Sequence, residues 1–274
     1  MPQSANDVPR RRGLTRPDLE AAALEGRQVG AQLDPPAAMG LLREGELEIV
    51  GRMLSASNAT FFAVAGSRAP DDSLDPAVSC VYKPSRGERP LSDFPDGTLA
   101  AREVAAYELA TAAGWQVIPP TVLRDGPFGP GMVQLWVEAD ESADPALLPE
   151  SDDPALRRIA LLDAVLNNAD RKGGHLLSLP DGRVMAIDNG LCFAVEPKLR
   201  TILWQWRGLP LEDEEAAVLS GLREALAGDL GARLRELLES REVEATARRI
   251  DALLVTRRFP LPDPRRPVVP WPPF

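Results

Sequence analysis

The sequence predicts an α+β fold, with a β-rich first half and a mainly helical second half. Three observations carry that expectation. Short β-branched runs separated by turn signals occupy residues 46 to 138, an amphipathic stretch with helical spacing follows at 153 to 170, and the pattern from 212 to 255 is helical throughout. At 274 residues and 44% hydrophobic content the chain can bury a sizeable core. The expected organisation is a loosely ordered N-terminal extension at 1–40, a first lobe at 41–138, a second lobe at 139–256 and a Pro-rich tail at 257–274.

Within the extension one short helix is predicted at "RPDLEAAALEG". "ELEIVGRML" and "FFAVAG", joined by the small polar run "SASNAT", read as a hairpin. "AVSCVYKP" is a third strand ending at Lys83, and "TLAAREVAAYELATAAG" is a helix closed by Gly114. "WQVIPPTVLRD" and "GMVQLWVE" are two more strands around the turn-rich "DGPFGP", giving the order β, β, β, α, β, β.

In the second half, Leu156, Ile159, Leu162, Val165 and Leu166 mark the buried face of a helix. "HLLSL", "PDG" and "RVMAID" then form a compact hairpin. Glycine breaks are expected at Gly221, Gly228 and Gly231, and the acidic "EDEE" at 212 to 215 reads as a helix N-terminus favoured by the dipole. Trp204 and Trp206 read as packing residues. The tail, "RRFPLPDPRRPVVPWPPF", reads as extended with polyproline character and as a surface for a protein partner.

The formal net charge is -10, with 31 basic against 41 acidic residues, which disfavours nucleic acid and anionic bilayers as partners. Cys80 and Cys192 are the only cysteines, so no disulfide framework or Cys-based zinc site is readable. No apolar run approaches the roughly 20 residues needed to span a bilayer, and no h-region follows the basic N-terminal residues. The expected location is the reducing cytoplasm. Lysines are only three, Lys83, Lys172 and Lys198, so a lysine at a special place carries weight.

The one histidine, His175, stands in "NNADRKGGHLLSLPDGRVMAIDNG". Pairing that hairpin about its turn brings residues 174 to 176 beside 186 to 188, so His175 and Asp188 meet at one end, with Asp170 just before. Two carboxylates this close repel unless a cation or proton lies between them. Mg²⁺ bridging nucleotide phosphates is a common solution, and Lys83 with Glu103 as its anchor could supply the positive group on the phosphates. Glu108 on the same helix is a rival anchor.

The order "VYKP", "AAREVAAYELA", "GWQVIPPT", "QLWVE", "NNADRKGGH", "AIDNGLCF" and "LWQW" resembles the phosphatidylinositol 3/4-kinase-like atypical kinases, the type II phosphatidylinositol 4-kinases above all. The resemblance runs from about residue 45 to 210 and suggests a bacterial member of the actinobacterial kind. It implies a two-lobed protein-kinase-like fold that binds ATP with Mg²⁺ or Mn²⁺ and moves the γ-phosphoryl group to a hydroxyl acceptor. Lys83 looks like the phosphate lysine with Glu103 as its partner, and Ser55, Ser57 and Asn58 of "SASNAT" look like the phosphate-covering loop. Gln134, Leu135, Trp136 and Val137 look like the adenine-binding hinge. Asp170, with Arg171 beside it, looks like the catalytic aspartate, and Asp188 like the metal aspartate.

One position departs from the family. Five residues after the catalytic Asp the family has Asn, and here stands His175, a poorer Mg²⁺ ligand that suits Mn²⁺ better. Asn167, Asn168 and Asn189 are the candidate replacement oxygens. The loop "SRGERPLSDFPDG" lacks the cysteines by which type II enzymes attach to membranes, which favours a protein or soluble small-molecule acceptor over a phosphoinositide. A nucleotide-binding pseudokinase and an AMP-transferring nucleotidyl transferase on the same fold are the alternative readings.

Overall fold

The computed structural model describes residues 34–53, 58–70 and 74–274, apart from the Asp75 side chain. The helix expected at residues 16 to 26 therefore lies outside the described residues. The chain divides into two compact units, one of residues up to Ala101 with Pro120–Trp136, the other of Arg102–Pro119 with Val137–Phe274.

The first unit opens with helix α1 (Pro35–Glu44), in part of the stretch expected to be loosely ordered. The cause is local: Asp34 accepts a hydrogen bond from the Ala37 amide at 2.8 Å, and Pro35 sits where the first turn needs no donor. Strands β1 (Glu46–Arg52), β2 (Phe61–Arg68), β3 (Leu74–Pro84), β4 (Thr121–Gly126) and β5 (Gly129–Leu135) form one antiparallel sheet in the order β1-β2-β3-β5-β4. Strand alternation sends Val78, Cys80 and Tyr82 of β3 into a core with Leu42, Phe61, Ala63 and Val133. Ser79, Val81 and Lys83 lie on the other, half-buried face. The loop after β3 holds Glu88, whose carboxylate takes the Leu99 and Ala100 amides at 3.0 and 2.9 Å and so starts helix α2 (Leu99–Ala112).

In the second unit, α3 (Pro154–Leu166) is capped by Asp153 and ends at Asn167, which takes a left-handed φ of 55°. All five residues expected on its apolar face are buried. A hairpin follows, β6 (Leu176–Ser178) against β7 (Val184–Ala186), with Leu176 opposite Ala186 as the turn implied. Helices α4 (Asp213–Ala225), α5 (Asp229–Arg235) and α6 (Ser240–Thr256) complete it. Of the three expected glycine breaks only Gly228 lies at one, as the N-cap of α5. Gly221 falls inside α4 and Gly231 inside α5, because a single glycine costs a helix only about 1 kcal/mol and neighbouring packing outweighs it.

Within the second unit, which takes in α2 from Arg102 onward, a buried ion pair holds that helix on α6: the Arg102 guanidinium meets Glu242 at 2.7 Å and the Cys192 carbonyl at 2.7 Å. The Pro-rich tail is not free along its length. Val268 accepts from the Thr201 amide at 3.1 Å and the Trp204 indole at 2.9 Å, and Pro273 accepts from the Gly173 amide at 2.8 Å. Those bonds hold it on its own chain, which leaves the expectation of a docked protein partner without support. Among the described residues no helix is long and apolar enough to cross a membrane.

Candidate active site

Residues 167 to 175 form a turn held from several sides. The Ala169 amide donates to the Leu191 carbonyl at 2.8 Å and the Phe193 amide to the Leu166 carbonyl at 2.7 Å, which lays the segment after Asp188 along the turn. On its other flank the Arg171 amide donates to Arg200 and the Ile202 amide to Arg171, at 3.0 and 3.2 Å. A Cβ on Gly173 would meet the Phe274 ring, which would have to move.

Beneath the turn lies a fully buried polar network. The Arg171 side chain is 0% exposed and pairs with Asp163, itself 0% exposed, at 3.0 Å. It also donates to the Ile187 carbonyl at 2.8 Å and to the Asn189 side chain. Asp163 accepts further from the Asn168 amide group at 3.0 Å and the Thr201 hydroxyl at 3.2 Å. The Asp163 charge holds the guanidinium pKa up against the opposing effect of burial, which is the larger single influence. Arg171 is therefore enclosed rather than presented to a ligand, and Asp163 was not singled out from the sequence. Its signal was a lone charge inside the apolar run "IALLDAVL".

Asp170 faces the other way. Its backbone amide is fixed by the Asn168 side-chain oxygen at 2.9 Å, and its carboxylate lies 3.5 Å from the Lys172 ammonium with 27% of its side chain exposed. Burial raises its pKa above the ordinary 3.8, Lys172 pulls it down, and the Asp188 charge pushes it up. Asp188 adopts a left-handed φ of 58°, uncommon outside glycine, and its side chain is 51% exposed. The next amide, that of Asn189, donates to the buried Glu103 carboxylate at 3.3 Å.

His175 and Asp188 do meet, Nε2 to Oδ2 at 3.4 Å. The other ring nitrogen, Nδ1, accepts from the Lys172 amide at 3.4 Å. A neutral imidazole has one donor and one acceptor, so that bond assigns the proton to Nε2, directed at Asp188. Ligation of a metal through Nε2 would require the opposite tautomer and the loss of the Lys172 bond. The three candidate replacement oxygens are all engaged: Asn167 accepts from the Lys198 amide, Asn168 from the Asp170 amide and Asn189 from Arg171.

In the first unit Lys83 pairs with Met132 in the sheet register. Asn58 accepts from the Arg89 amide at 3.0 Å, and the Ala59 amide donates to Gly87 at 3.0 Å, so this end of the "SASNAT" run is fastened to the segment after β3. Ser55 and Ser57 lie outside the described residues. At the expected hinge, the Leu135 amide donates to Pro120 at 2.8 Å and the Trp136 amide to Ser79 at 2.9 Å. The Gln134 side chain is occupied by Thr121 at 2.8 Å. The Ser79 hydroxyl is buried with no hydrogen-bond partner among the described residues. Glu103 belongs to the second unit, where its carboxylate accepts from the Asn189 amide.

No protein-family model matches the chain. It is 42% identical over 271 residues to Protein Rv2133c of Mycobacterium tuberculosis, across 85% of this chain and 94% of that protein. A rice protein (Oryza sativa subsp. japonica), Phosphatidylinositol 4-kinase gamma 4, is 30% identical over 151 residues, 46% of this chain and 26% of that one. Among solved structures, the golgi casein kinase matches with a TM-score of 0.50 at 14% identity, over 83% of this chain and 76% of that chain. At that identity the likeness is one of fold, and the fold is kinase-like.

Proposed function

The chain belongs to the family of the mycobacterial Protein Rv2133c, and we propose that it is an ATP-dependent phosphotransferase, related to the phosphatidylinositol 3/4-kinase-like enzymes, acting on a hydroxyl acceptor. The observation that carries the reading is Asp170: a carboxylate half out of solvent, with a raised pKa, its amide fixed by Asn168 and a second carboxylate, Asp188, acting on it. Such a group can orient an acceptor hydroxyl and take its proton. A raised pKa makes it the stronger base.

The donor set fits a hard divalent cation, since two carboxylates that repel each other are relieved by one. Asp188 would hold Mg²⁺ or Mn²⁺ with Asp170 near it, and the ion would supply charge neutralisation on the phosphates. Among the described residues no three acidic, His or Cys side chains gather to hold a metal by themselves, so phosphate oxygens and water would complete the shell. His175 acts by donating to Asp188 and fixing its direction, as a positioning residue rather than a ligand. Arg171 positions the turn through Asp163. Lys83 is assigned to the ATP phosphates, and Ser79 and Val81 on the same face of β3 to the nucleotide beside it.

A protein or soluble small molecule is the favoured acceptor, because the loop after β3 has no cysteine for lipid attachment and its Glu88 caps a helix. The test is the fate of ATP labelled at the γ or the α phosphate, with Mg²⁺ and separately Mn²⁺, beside Asp170→Ala and Asp188→Ala. Transfer or hydrolysis at γ that both substitutions abolish is expected. Transfer of the α label would instead make the chain a nucleotidyl transferase, and ATP that binds without turnover would make it a pseudokinase.

A further inference from the structure

A cavity in the second unit, whose lining does not include Asp170, has about 970 Å³ of space, at the upper end of the roughly 300 to 1,000 Å³ usual for small-molecule sites. Its walls come from α6, the end of α3, the segment 197 to 208 and the Pro-rich tail. Trp204, Leu253, Phe259 and Val268 make much of it apolar. An apolar wall of this size ordinarily calls for an apolar occupant.

The charges around it are one-sided. Lys198, Arg200, Arg249, Arg258 and Arg266 line the cavity, against one carboxylate, Asp263. That carboxylate is already paired with Arg265 at 2.9 Å and Arg266 at 3.7 Å. In a chain of net charge -10 this is a local reversal of sign. Arg249, on α6, is partly buried. Its guanidinium donates to the Val165 carbonyl at 2.7 Å, the Ala194 carbonyl at 3.2 Å and the Thr246 hydroxyl at 2.8 Å, all neutral acceptors. Burial lowers its pKa to about 10. A partly buried guanidinium whose hydrogen bonds go to neutral acceptors is costly to keep charged, and a bound anion would lower that cost. Of its five N–H groups three are engaged among the described residues, which leaves two for a bidentate carboxylate.

We propose that this cavity binds a long-chain carboxylate, with the hydrocarbon chain against the Trp204, Leu253 and Phe259 walls and the carboxylate on Arg249. The cationic rim disfavours a cationic amphiphile. The inference does not depend on phosphoryl transfer and stands or falls by binding.

The experiment is calorimetric titration of the full chain with laurate below its micellar concentration, beside dodecyltrimethylammonium and dodecyl phosphate. Saturable one-to-one binding of laurate, with the ammonium analogue at least about tenfold weaker, is expected from the strength of charged hydrogen bonds. Arg249→Met should lower laurate affinity by a similar factor. Because Arg249 also bonds backbone carbonyls, Ala252→Trp is the second variant: Ala252 is an exposed α6 residue lining the cavity, and the indole fills the space. Laurate affinity unchanged in Ala252→Trp, equal binding of the two charge types, or no saturable binding would each overturn the proposal. Dodecyl phosphate bound tenfold or more tightly than laurate would overturn the carboxylate assignment.

Discussion

The two sides of the Asp170 turn are built on opposite principles. Below it, Arg171, Asp163, Asn168, Asn189 and Thr201 are 2% exposed or less and satisfy one another through bonds to charged and neutral partners. Above it, Asp170, Lys172, His175 and Asp188 stand partly in solvent, with Lys172 3.5 Å from Asp170 and His175 3.4 Å from Asp188. A buried polar network tolerates no missing member, so it specifies one geometry. Chain neighbours 170 and 171 thus divide between a partly exposed position and an enclosed one.

The most forceful way to break this contrast is Asp163→Ala. It strands the Arg171 charge in the interior and should cost about 3 to 5 kcal/mol of stability, read from the denaturant midpoint, with loss of any transfer activity. Stability within about 1 kcal/mol of the parent would mean that the network is not the support described here.

Next in size are Asp170→Asn and Asp188→Asn, which should leave folding nearly intact and lower phosphoryl transfer by about a hundredfold or more. A parallel loss of folding would merge the two sides into one structural unit. A smaller effect is expected for His175→Ala. If the imidazole only directs Asp188, activity falls by roughly tenfold and the Mg²⁺ to Mn²⁺ preference stays as it was, whereas a ligand would change that ratio.

The finest test is pH. Burial raises the Asp170 pKa, so the folded state binds this proton more strongly than the unfolded chain. Its contribution is therefore fully present below the ordinary 3.8 and is lost as pH rises through the folded value. Asp170→Asn should remove that decline, and its unfolding free energy relative to the parent should grow across this window and then level off. An unchanged difference across the window would place the carboxylate in ordinary solvent.

Much of the upper side was readable in the sequence. The hairpin register of "HLLSLPDGRVMAID" follows from its turn, and antiparallel arithmetic alone put His175 beside Asp188, as the 3.4 Å contact bears out. The five apolar residues of α3 were legible from helical spacing. The lower side was not. Asp163 sits on the same helix, but its partner lies eight residues away, beyond a turn whose shape no local rule supplies. Nor could spacing tell which Asn oxygens were engaged, since Lys198 and Arg171 reach them from segments set by the fold. The tail's composition suggested an extended partner-binding strand, while packing against Thr201, Trp204 and Gly173 holds it on the chain.

By itself the sequence determined the α+β order, the register of the β6–β7 hairpin and the side-chain types at hand, because those follow from periodicity, turns and composition. Only the tertiary structure decided which of those residues face solvent and which are enclosed. It set the Arg171 charge inside and Asp170 outside, gave His175 its tautomer through the Lys172 amide, and collected five cations around an apolar cavity from distant segments. Burial and pairing depend on what lies across the fold, and that is set by packing rather than by neighbours in the chain.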